Sequence, residues 1–215
     1  DTSGSVKRIF SATCDSLNNY ILEQSQAQEK DSNMINVTLT TFSTNVEQRW
    51  SKPLSYIPSI ENIEPSGLTA LYDAIGMTLE NKDPNKPNIV CILTDGEENS
   101  SVNYTAYIVK EKIKQLESKG WTFLFFGANQ DALMVGENIG INKETCMTFD
   151  ADSDCMAPLS RAMSDATTRR TRGLPVSFSV EERTSCRKKL PPNSYTCPPK
   201  IHGNDDNNKK QLGAA

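Results

Sequence analysis

Two short runs, Asn88–Thr94 (NIVCILT) and Trp121–Gly127 (WTFLFFG), are almost unbroken in apolar residues. A strand with one solvated face alternates apolar and polar residues. A strand covered on both faces reads instead as a continuous apolar stretch, and such strands belong to parallel sheets with helices on either side. The intervening segments meet that demand. Val6 to about Lys30 places Ile9, Phe10, Leu17, Ile21 and Leu22 near one helical face. Leu68–Asn81 and Tyr104–Lys119 are also helical, the second stopped by Gly120. Ile35–Phe42 (INVTLTTF) reads as a strand, and Gln48–Ile57, interrupted by Pro53, as its neighbour. A short helix over Asp131–Ile139, a short strand over Cys146–Phe149 and a last helix over Asp154–Arg172 complete the alternation. This spacing predicts an α/β fold: a doubly wound, mostly parallel, Rossmann-like sheet flanked by helices.

The pattern stops at Gly173. Five of the eleven prolines lie beyond it, with no apolar period, so residues 173–215 are expected to form a polar, Pro-rich, disordered tail to a domain spanning 1–172. The tail holds seven Lys/Arg against four Asp/Glu, leaving residues 1–172 at −7 against the chain's −4. An acidic body argues against nucleic-acid binding. The basic run Arg183, Arg187, Lys188 and Lys189 is read as a solvated linker rather than a targeting signal. No apolar stretch approaches the ~20 residues of a membrane span. None of the six cysteines forms a CxxC pair, which points to reduced core thiols and a cytoplasmic protein. An extracellular location stays open, because the chain begins at Asp1 and not at Met. Three Asn-x-Ser/Thr tripeptides, at Asn36, Asn99 and Asn103, carry little weight alone.

Chemistry concentrates in three segments. Asp1-Thr-Ser-Gly-Ser5 sets an aspartate and two hydroxyls at alternate positions in a loop feeding a helix. Hard cations such as Mg²⁺ take about six oxygen ligands. Read alone, the loop fits helix capping or a plain loop better than a metal site. The second segment, Gly67-Leu-Thr-Ala-Leu-Tyr-Asp-Ala-Ile-Gly76, places Thr69 at a helix entry; the third, Ile92-Leu-Thr-Asp-Gly-Glu-Glu-Asn99, places Asp95 at the end of a buried strand. In open α/β sheets ligands bind outside the carboxyl ends of the strands, where all three segments could meet. Glu97 and Glu98 are read as a solvated pair, Asp73 as facing solvent or a neighbouring loop, and Gly127–Asp131 as a turn closing a strand.

In order and spacing, these segments resemble the metal-ion-dependent adhesion site of the von Willebrand factor A family, over about residues 1–172. The resemblance implies that Ser3, Ser5 and Thr69 supply hydroxyl ligands and Asp1 and Asp95 the acidic ones, directly or through water. It implies Mg²⁺, with Mn²⁺ or Ca²⁺ as alternatives, and a coordination position filled by a carboxylate from a partner protein. Members of the family begin with a buried strand ending at the first aspartate. Nothing precedes Asp1 here, so this central strand is expected to be missing and the chain to be a fragment.

Other chemistries fit less well. The sole histidine, His202, lies in the tail, which leaves no base for a Ser-His-Asp site. There is no GxSxG and no GxxxxGK[ST] loop. Ser3 stands where haloacid-dehalogenase phosphatases need a second aspartate, and it interrupts the Asp-Thr-Gly of aspartic proteases. A binding module is therefore expected rather than an enzyme. The alternatives are a scaffold with a non-functional metal site and, further behind, a metal-assisted phosphoryl hydrolase.

Overall fold

The computed structural model describes residues 1–27, 35–80, 82–129 and 131–188. A 3-10 turn at Gly4–Arg8 leads into α1 (Phe10–Ala27), then β1 (Asn36–Phe42) and β2 (Val46–Pro53). Next come α2 (Leu71–Glu80), β3 (Ile89–Thr94), α3 (Ala106–Glu117), β4 (Thr122–Ala128) and α4 (Ala132–Asn138). The last elements are β5 (Cys146–Phe149), α5 (Ser153–Thr171) and α6 (Val180–Ser185).

The strands β3, β4 and β5 pair in parallel, in that order. The central strand β4 shows why its sequence is continuously apolar. Phe123 and Phe125 enter one core, with Leu71, Ile75, Val109 and Ile113 from α2 and α3. Leu124, Phe126 and Ala128 enter the other, with Met156, Leu159 and Met163 from α5. Alternate side chains point to opposite faces, and each face is covered by helices. On the second face α1 and α5 also meet through polar side chains: the Ser160 hydroxyl donates to Ser16 O at 3.0 Å, Tyr20 meets Thr167 at 2.9 Å, and the Gln24 amide donates to Ser164 Oγ at 2.9 Å.

Two expectations change. The segment expected as a neighbouring strand over 48–57 runs over Val46–Pro53, antiparallel to β1. Among the described residues β1 and β2 form their own two-stranded sheet, separate from β3–β4–β5. Residues 1 and 2 bridge the two sheets at the carboxyl ends of β1 and β3. The Asp1 amino group donates to Leu93 O at 3.0 Å, and Thr2 N donates to Phe42 O at 2.7 Å.

The second change concerns the tail. Residues 173–188 are not free of the domain. Phe178 is buried and meets Phe126 at 5.4 Å between ring centroids, and Cys186 is buried. Arg183 donates to the carbonyls of Lys143, Glu144 and Cys146, and Arg187 pairs with Asp150 at 3.0 Å. Helix α6 opens on a reciprocal cap between Ser179 and Glu182. The basic residues 183, 187 and 188 are thus docked onto the β5 edge rather than forming a linker; Lys189 and residues 190–215 lie outside the described residues. The described cysteines are free thiols, four of the five buried. Among the described residues no helix is long and apolar enough to cross a membrane.

Candidate metal centre

The candidate residues gather at the carboxyl ends of β1 and β3. Asp1 is fixed by its own loop and by the strand behind it. Its Oδ1 accepts Ser3 N at 2.8 Å, and its Oδ2 accepts the Thr94 hydroxyl at 2.5 Å. Ser3 stands at the N-cap position of the 3-10 turn, yet its side chain makes no capping bond. Its hydroxyl lies 2.9 Å from that of Ser5. The Ser5 hydroxyl in turn donates to Asp95 Oδ1 at 2.6 Å. The DxSxS loop therefore aims its side chains at one another and at the end of β3, and helix capping does not account for it.

Thr69 enters from the α2 side. It is 2% exposed. Its backbone is held in both directions by Asn99: Thr69 N donates to Asn99 Oδ1 at 2.8 Å, and Asn99 N donates to Thr69 O at 3.0 Å. Gly96 shows how near Thr69 lies to the rest. A β-carbon there would fall 2.7 Å from Thr69 Oγ1 and 3.5 Å from Ser5 Oγ. The two hydroxyls flank Gly96, and any larger residue would intrude between them.

Thr94 and Gly96 are positioning residues that sequence reading passed over, although both adjoin Asp95. Their signal was the Thr-Asp-Gly run at the end of a buried strand. Two further carboxylates were misjudged. Glu98 is not solvated: it accepts Tyr72 N and Ser100 N at 2.9 Å, and Ser101 N and the Ser101 hydroxyl at 2.7 Å. Asp73 is 4% exposed and accepts Val102 N, Asn103 N, Tyr104 N and the Asn103 amide at 2.8–3.1 Å. Burial alone would push the Asp73 carboxyl up, but these donors outweigh it and hold it below the usual carboxylate value. The Asn103 amide nitrogen donates to Asp73, which disfavours glycosylation of the folded chain there, whereas Asn99 is held through its oxygen. Asn129 closes β4 with φ at 52° and accepts Ala151 N, in keeping with a structural turn.

The donor set consists of three hydroxyls and two carboxylates, all hard oxygens, around a glycine cradle. Among the described residues no three His, Cys, Asp or Glu side chains gather as a metal cluster. The centre thus suits a hard divalent cation held partly by neutral oxygens, and not a nitrogen- or sulfur-rich site.

No protein-family model matches the sequence, and no curated protein does. Solved structures do. The structure of proximal thread matrix protein 1 from the mussel byssus is similar with a TM-score of 0.58 at 16% identity, over 78% of this chain and 45% of that one. A second structure of that protein, described as having a zinc-occupied MIDAS motif, is similar with a TM-score of 0.55 at 15% identity, over 77% of this chain and 45% of that one. The chain thus spans less than half the length of the structures it matches, and what it shares with them is the α/β fold.

Proposed function

We propose that this chain is a von Willebrand A-type binding module whose centre, Asp1, Ser3, Ser5, Thr69 and Asp95, holds a divalent cation and through it captures a carboxylate of a partner protein. The observation that carries this reading is the continuous contact from Ser3 to Ser5 to Asp95, at 2.9 and 2.6 Å, with Asp1 and Thr69 on the same edge. Bound there, the cation supplies a positive charge only partly neutralised by its ligands and a position open to an external carboxylate. The chain's residues do the rest. Asp1 and Asp95 provide the negative charge, Ser3, Ser5 and Thr69 provide neutral oxygens, and Thr94 and Ser3 N hold the Asp1 carboxylate in place. Mg²⁺ is the leading ion for an all-oxygen set, with Mn²⁺ and Ca²⁺ next. The motif named in the mussel structure supports a metal-dependent site, and that motif is described there as occupied by zinc.

No catalytic role is proposed. The test is calorimetric titration of Mg²⁺ and Mn²⁺ into the chain and into a Ser3→Ala, Asp95→Ala variant. Saturable 1:1 binding lost in the variant supports the reading. A folded wild type that binds neither ion overturns it and favours a scaffold role.

A further inference from the structure

Two buried cysteines meet where residues 173–188 close over the sheet. Cys155 lies in the first turn of α5 and Cys186 at the C-cap of α6. They are 2% and 0% exposed and share the core that holds Leu124 and Phe126. One turn, Asp150–Asp152, holds both backbones: Asp150 N donates to Cys186 O at 3.0 Å, and Cys155 N donates to Asp152 O at 3.0 Å. The Asp150 carboxylate also accepts Arg187 and Lys188 N, at 3.0 and 2.7 Å, which fixes the chain just beyond Cys186. Burial raises the Cys155 thiol, against the same Asp150 N–H, which faces its sulfur. Burial pushes the Cys186 thiol up to about 11, and a negative charge on Cys155 pushes it the same way, so the two sulfurs lie within electrostatic reach. Cys146 is placed otherwise: it packs in the opposite core, and its thiol donates to Asn142 O at 3.4 Å.

A single buried cysteine is an ordinary small apolar residue. This pair differs in joining a lightly held segment to the domain, for α6 buries none of its own residues. We propose that Cys155 and Cys186 are the two halves of a disulfide that clips residues 173–188 onto α5 under oxidising conditions. The clip is independent of the metal centre. Its oxidant is a small-molecule disulfide such as oxidised glutathione. One cysteine thiolate attacks that disulfide and releases one glutathione; the second attacks the protein sulfur of the mixed disulfide and releases the other. One Sγ–Sγ bond forms, one glutathione S–S bond breaks, and the two cysteine protons end on two reduced glutathiones.

The full chain is incubated natively with oxidised glutathione at about pH 8 until thiol loss stops, then digested without reduction. Chain oxidised in urea supplies the reference distribution of pairings among the six cysteines. The native sample is expected to give the peptide pair joined through Cys155 and Cys186 as its main cross-link, enriched over the urea reference. Its Tm should rise by about 5 °C, because the bond closes a loop of about 30 residues in the unfolded chain. Reduction with dithiothreitol should reverse the rise, and Cys155→Ser should lose both cross-link and rise. A different main pairing, thiols left free or capped by glutathione, or a cross-linked chain that melts no higher than the reduced one overturns the clip.

Discussion

Asp73 and Asp95 lie near one edge of the sheet and differ in everything that decides their use. Asp73 is buried, and its oxygens accept four hydrogen bonds, three from consecutive backbone N–H groups. Asp95 is partly exposed, and its Oδ1 meets the hydroxyl of a serine, itself linked to a second serine. The first carboxylate is saturated by the chain and has nothing left to offer a ligand. The second rests against side-chain hydroxyls that can turn toward a cation instead. A carboxylate's role is read from who donates to it: backbone donors fix a loop, whereas rotatable hydroxyls leave a site available.

Removing each should therefore have opposite signatures. Asp73→Ala leaves three buried backbone N–H groups without their acceptor and should lower stability by about 3 kcal/mol. For a domain of this size that is a fall of roughly 6–12 °C in Tm, measured by calorimetry. A loss below about 1 kcal/mol would put Asp73 in the same class as Asp95 and erase the contrast.

Asp95→Ala should do little to the metal-free chain, within about 1 kcal/mol by urea denaturation, because the site it leaves is partly solvated. Its effect appears with the ion. A cation at a hundredfold excess over its Kd stabilises the wild type by about 2.7 kcal/mol, and the variant should gain none of this. Equal stabilisation of both proteins by Mg²⁺ would place the ion elsewhere.

Gly96→Ala probes the cradle with one methyl group. The added carbon must displace Thr69 Oγ1, 2.7 Å from its ideal position. A weakening of metal binding by about tenfold is expected, corresponding to the low end of overpacking costs. Unchanged affinity would mean that Thr69 can move aside without loss and does not ligate.

Much of this was legible in the sequence. The two apolar runs gave β3 and β4, and the DxSxS loop, Thr69 and Asp95 pointed to one edge because strand ends and helix entries in such a fold share it. What stayed hidden depended on contacts rather than periods. Helix α6 has six residues and buries none of its own. Its attachment comes from Phe178, Arg183 and Cys186, three side chains with no common spacing, so a pattern search finds only a polar tail. Asp73 was misjudged for a related reason. A polar residue in the first turn of a helix normally faces water, and only the return of loop 98–104 supplies the donors that let it be buried.

The smallest effect sharpens the comparison through pH. The Asp73 carboxyl sits below its usual value near 3.8 in the folded chain. Its contribution to stability is complete above that unfolded value and is lost as pH falls through the lower folded one. Asp73→Asn keeps the shape, removes the charge and turns part of the acceptor into a donor. The variant should be less stable than wild type at pH 7, and the gap should narrow once pH drops below about 4. Urea denaturation of both proteins between pH 3 and pH 7 reads the gap directly. Parallel curves across that range would mean that the backbone donors hold neutral and charged carboxyl equally, and that the loop beside the metal centre is fixed by shape rather than by charge.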